Sequence, residues 1–298
     1  MKSDLRSDPL RVASVADMPP ATADARPSKP PLAPLVAGAF WFGRVLLLIA
    51  VPLVILLLAS GLAILIVRVG GDLRLGIDPL TSAAARPRLP LSEVTGRGVM
   101  MDALRQVLMA GLVIGLAAWA GGGAWRQRLG LTRPLEPRRP MRRLWLLFPL
   151  WPLIHIAWVT TTAAALQMSF GSGVRLSPFL SPVMLGLWFA FVVVLAPVAE
   201  ELLLRGETFA RASTFLGPAG TIVATALLFC LAHVSLDPGA KLDLGAKSAL
   251  ARPLTLLPLA LTLGWLRWRT GRLWPCILLH GWSNFCLLAY QLGPSLLR

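Results

Sequence analysis

The chain has 298 residues, 56% of them hydrophobic and 14% charged, with a formal net charge of +15. Soluble globular domains carry about 25% charged residues, so the composition excludes that class and points to a polytopic membrane protein. The basic excess does not imply nucleic acid. It is spread over loops between apolar runs, as suits anionic headgroups, and no zinc finger, RNA-recognition signature or basic helix with interleaved aromatics occurs.

Residues 1–35 are rich in Pro, Ala, Ser and Asp and lack helical periodicity. They are expected to form a disordered cytoplasmic tail, because such a segment buries too little apolar surface to offset its ordering entropy. Residues 36–298 are expected to form a transmembrane helical domain. Seven apolar runs lie near 45–67, 107–123, 144–166, 182–199, 219–235, 254–266 and 273–292. The fold class is therefore all-α, a polytopic transmembrane bundle of about seven or eight membrane helices. The stretch 68–104 is rich in Pro and Arg, which argues against an eighth span there.

The uncharged run Leu46 to Val67 can cross about 30 Å of hydrocarbon as a helix. It starts too late and is too long for a cleaved signal peptide. Seven arginines between Arg126 and Arg143 weight that short loop towards the cytoplasm. The N-terminus is expected inside and the C-terminus outside, in a plasma (inner) membrane. Trp41, Trp125, Trp145, Trp151 and Trp274 sit near span ends, where an amphipathic indole favours the interface. Gly121-Gly122-Gly123 reads as a helix stop. Cys230, Cys276 and Cys286 fall inside apolar runs and fit no disulfide or zinc spacing, so they read as small hydrophobes.

The chain centres on the run Phe191 to Ala199, which leads directly into Glu200-Glu201, with Arg205 four residues after the second glutamate. Charges at membrane depth are costly, and are usually paired or functional. On a helix Glu201 and Arg205 are i,i+4 neighbours and can pair. Glu200 then points about 100° away and can face a cavity. Two later spans carry Phe229-x3-His233 and His280-x3-Asn284, each pair on one helical face. A neutral histidine suits proton transfer, and an asparagine amide can serve an oxyanion. His155, between Pro149, Pro152 and Trp158, reads instead as a hydrogen-bonding group between helices.

In order and spacing, these three motifs resemble the CPBP membrane proteins, the bacterial relatives of the type II CAAX prenyl endopeptidase, also called the Abi family. The resemblance covers about 180–292, and Gly206 after the arginine fits it too. It implies an intramembrane endopeptidase that hydrolyses a peptide or membrane-protein substrate at a site open to the cytosol. By position, Glu200 would activate a water with help from His233, and His280 and Asn284 would stabilise the oxyanion. Glu201 and Arg205 would hold the site together.

The resemblance admits two chemistries. One is metal-free and glutamate-based, with no cofactor. The other is a zinc site formed by Glu200, His233 and His280 with an open water position. The His-Glu-x-x-His spacing of soluble zinc proteases is absent, which favours the first. Self-immunity to a bacteriocin, a role the resemblance also suggests, and a non-catalytic membrane scaffold are the alternative functions. Proton-coupled transport fits less well, since no inverted repeat is evident.

Overall fold

A computed structural model describes residues 34–82, 84–133, 141–167, 180–234 and 242–296, and every regular element among them is helical. Most of the expected tail, residues 1–33, lies outside the described residues. Two units are distinguished. In the first, Met1–Gly43, the described residues form the opening turns of α1. The second, Arg44–Arg298, contains everything that follows.

Helix α1 runs Pro34–Arg74 and α2 Leu91–Gly121, with the short α3 at Trp125–Leu129 and α4 at Leu147–Ala165. A continuous helical stretch then comprises α5 (Pro182–Ala190), a π-helical stretch Phe191–Leu195, α6 (Ala196–Glu201), a second π-helical stretch Leu202–Thr208, and α7 (Phe209–Ala212). Helix α8 is Pro218–Leu231, α9 Leu242–Thr270 and α10 Trp274–Leu296. Five stretches are long and apolar enough to cross a membrane: 38–74, 91–129, 144–165, 182–212 and 249–270. Helix α8 is apolar but shorter. The chain is a multi-pass membrane protein.

Two boundaries differ from expectation for one reason. The second helix begins at Leu91, well before 107, and the fourth stretch continues to Ala212 instead of stopping at 199. In both places charged residues look like loop in the sequence but are paired in the fold. Asp72, at the end of α1, binds Arg97 of α2 at 2.8 Å and Arg86 of the connecting loop at 2.7 Å. Arg97 also binds Glu93 one turn earlier. Pairing offsets the cost of placing these ions in or near the bundle.

The core inverts the soluble pattern. On α1, Leu48, Ile55, Ala59, Ala63 and Val67 are buried at helical spacing, while Leu46, Leu47, Leu57, Leu58 and Leu65 are exposed. Small residues turned inward let helices approach closely, and lipid solvates the large ones. The buried stripe of α2 (Val99, Ala103, Met109, Val113, Ala117) has the same spacing. Ile55, Ala59, Met109 and Val113 share one cluster with Leu202, Leu203, Phe229 and Ala260.

Internal prolines supply much of the specific linkage. Proline lacks an N–H, so it frees a carbonyl one turn earlier, and neighbouring helices must satisfy that carbonyl in a membrane. Pro152 frees Phe148 O, which accepts from Trp282 Nε1 at 2.9 Å. Pro258 frees Leu254 O, which accepts from Trp158 Nε1 at 2.9 Å. These two indoles are therefore helix staples.

Trp151, expected at the interface, is 2% exposed and donates to Ser283 Oγ at 3.0 Å. The same hydroxyl lies 2.7 Å from His155 Nδ1, and His155 Nε2 donates to Thr255 O at 3.3 Å. His155 thus ties α4, α9 and α10 together, and it is remote in role from the Glu200 cluster. Cys230 and Cys276 are buried, while Cys286 is partly so.

Candidate active site

One departure from regular helix and one close glycine contact bring the site together. In the first π-helical stretch, Ala196 N–H donates to Phe191 O, five residues back. The next donor in that series would be residue 197, but Pro197 has none, which leaves Val192 O free. Asn284 Nδ2 takes it at 2.9 Å. π-helical insertions of this kind are frequent at functional sites.

Beside it, Gly281 of α10 packs directly on the same stretch: a Cβ at that position would lie 2.6 Å from Val193 O. Only glycine allows that approach, which sets the height of His280 and Asn284 against α6. Gly281→Ala should therefore cost about 1–3 kcal/mol of stability through overpacking against backbone. Thermal unfolding in detergent reads this directly, and an unchanged midpoint would mean that α10 is free to shift.

Glu201 and Arg205 are fully buried, and Arg205 NH1 donates to Glu201 Oε1 at 3.0 Å. Arg205 NH2 donates to Ala260 O of α9 at 2.8 Å. Its guanidinium carbon also lies 4.9 Å from the centroid of the Phe229 ring. Phe229 is 0% exposed and is a shared platform, with ring centroids 4.6 Å from His233 and 5.6 Å from His280. The first position of Phe229-x3-His233 is thus a packing surface for three polar groups at once.

His280 Nδ1 lies 3.0 Å from the same Glu201 Oε1. A carboxylate oxygen already paired with arginine accepts, so Nδ1 carries the proton and Nε2 is bare in the neutral ring. His233 Nδ1 lies 2.8 Å from Phe229 O, and a carbonyl can only accept. Its Nε2 is therefore also bare. Both bare nitrogens lie 3.9 Å from one atom, Glu200 Oε2. That gap is too wide for a direct hydrogen bond and is the range in which a bridging water is expected. Unlike Glu201, Glu200 keeps 19% of its side-chain surface exposed, as does His233.

Fixed tautomers and a carboxylate are also what a His2Glu metal site would use. Tetrahedral zinc with bonds of about 2.0–2.1 Å places its ligands only about 3.3 Å apart. The 3.9 Å separations are wider. Among the described residues, no group of three His, Cys, Asp or Glu could hold a metal ion. As placed, the three side chains do not fit zinc.

A second buried charge, Glu207, stands two turns beyond Glu200 and drew no sequence expectation. Its carboxylate receives two hydrogen bonds from Arg128, at 2.7 and 2.8 Å, and one from Arg211 at 2.7 Å. It fastens α3 to the end of the α5–α7 stretch. Arg267 continues that fastening, with Nε donating to Arg205 O at 2.8 Å. Its head packs on Gly130, where a Cβ would clash. The i,i+4 spacing of Glu207 and Arg211 was the one sequence signal available for this cluster; Arg128 is 79 residues away.

Residues 182–286 match the family model described as Rce1-like, type II CAAX prenyl endopeptidase Rce1-like. No curated protein and no solved structure matches the chain. The matched segment contains Glu200, Glu201, Arg205, His233, His280 and Asn284. The part of the chain that builds this site is therefore similar to the Rce1-like family, and that similarity supports, at the level of family, a CAAX-type intramembrane protease.

Proposed function

We propose that the protein is an intramembrane endopeptidase that hydrolyses a membrane-associated protein or peptide, with a water activated by Glu200 and without a metal. One observation carries the reading. A carboxylate and two imidazole nitrogens, all three hydrogen-bond acceptors, converge on a single small volume. A water held there can give one proton to Glu200 and the other to a histidine, which turns its lone pair outward for attack.

As the water attacks the scissile carbonyl, its proton passes to Glu200, and the carbonyl oxygen becomes an oxyanion. Asn284 Nδ2 has a second N–H beyond the one bound to Val192 O, and it serves that oxyanion. His280, its Nδ1–H held by Glu201, keeps its bare Nε2 turned to the water. Collapse of the intermediate breaks the C–N bond, and the proton held by Glu200 goes to the leaving amine. His233 keeps the water oriented through its own bare Nε2.

The inner membrane as location, an inward N-terminus and an inward-opening site belong to the same proposal. The experiment compares peptide termini in membranes from cells expressing wild type or Glu200→Gln, with and without a strong chelator. Products present only in wild type, and insensitive to the chelator, are expected. Chelator sensitivity would replace the metal-free part with a metal-dependent one. Identical termini in the two strains would overturn the protease reading in favour of a scaffold.

A further inference from the structure

One charged side chain near the site has no role in the scheme above. Arg252 lies on α9 within the membrane-spanning portion 249–270, and its side chain is exposed. Among the described residues it has no ion pair and no side-chain hydrogen bond, whereas Arg205 and Arg267, both buried in the bundle, are bonded. Its own carbonyl accepts from Thr255 Oγ1. An unpaired intramembrane ion with no structural partner is a functional candidate by default.

Helix register places it. Helices α8 and α9 are neighbours, and a Cβ on Gly264 would meet Ile222 at 3.1 Å. The two helices are antiparallel, so each step towards the end of α8 is a step towards the start of α9. His233, eleven residues past Ile222, therefore stands level with the turn that holds Arg252. The guanidinium is close enough to act on the His233 ring. The guanidinium thus stands at the His233 side of the site, the more open side, away from the buried Glu201–Arg205 pair.

We propose that Arg252 is a substrate-binding residue that receives a carboxylate of the substrate beside the scissile bond. A guanidinium offers a planar fork matched to a carboxylate, and burial by substrate would strengthen the pair. It would also cancel the positive charge that faces His233, so a substrate bearing the anion suits the site better than one without it. This inference rests on the proposed protease function. The competing occupant is a lipid phosphate, reached by the side chain extending to the interface.

The test starts from a peptide spanning the strongest Glu200-dependent cleavage site found in membranes. Its carboxylates are amidated one at a time and assayed with purified wild type, Arg252→Gln and Arg252→Lys. With wild type, one amidation should raise KM about tenfold and leave kcat nearly unchanged, the loss expected for one charge-assisted hydrogen bond. Arg252→Gln should show the same rise with the unmodified peptide and no further loss on that amidation, and Arg252→Lys should recover part of it. Effects that multiply independently, or an Arg252→Gln variant with wild-type KM, would overturn the inference and leave the protease reading intact. A stability loss in Arg252→Gln confined to anionic-lipid nanodiscs, with KM unchanged, would assign the residue to lipid. If no Glu200-dependent cleavage is found at all, the protease reading fails first.

Discussion

Glu200→Gln is expected to lower peptide cleavage by at least about 10²–10⁴-fold, the range general-base catalysis contributes, while the protein stays folded and inserted. The amide keeps the size of the carboxylate but cannot take a proton from water. It also presents an N–H₂ group to the bare nitrogens of His233 and His280, each 3.9 Å from Glu200 Oε2, and would draw them inward in place of the water. Stability should hardly change, because among the described residues Glu200 makes no short polar contact, and it is partly exposed. Turnover by purified protein, paired with thermal unfolding in the same detergent, separates the two effects. Full activity in the variant would remove Glu200 from the mechanism. His233→Ala should behave similarly in direction, with more loss of packing because its ring rests on Phe229.

The sequence was most legible where short-range geometry decides. The i,i+4 spacing of Glu201 and Arg205 places them on one helical face, and they pair at 3.0 Å. Likewise Glu200, one residue away on the helix, is left turned aside from that pair. The same rule gives Phe229 with His233. What could not be read was which helix faces which. Glu201 meets His280 across 79 residues, and Asn284 meets Val192 only because Pro197 and the π-helical stretch release that carbonyl. Nothing in local periodicity announces a five-residue hydrogen-bond step. Charges misled where they were paired at a distance: Arg97 and Glu93 resemble loop residues until Asp72 is placed beside them. Trp151 shows the same limit, since proximity to a span end cannot reveal that Ser283 stands opposite.

Arg205→Ala is expected to have the largest effect on folding of any single change at the site. It strips the paired guanidinium from Glu201 while leaving that carboxylate buried, and removing one partner of a buried pair costs about 3–5 kcal/mol. Three further contacts go with it: the bond to Ala260 O, the stacking over Phe229, and the van der Waals contacts of a side chain with no exposed surface. Folded yield and the thermal midpoint should both fall. The double variant Glu201→Leu with Arg205→Leu removes the charges together, and buried pairs replaced by apolar residues are often neutral in stability. It should therefore be better folded than Arg205→Ala. It should nonetheless be inactive, because His280 Nδ1 would lose the acceptor that fixes its tautomer. Recovery of stability without recovery of turnover would separate the structural work of Arg205 from the catalytic work of Glu201. A double variant as unstable as the single one would instead place the cost in packing, and a fully active one would show that His280 does not depend on Glu201.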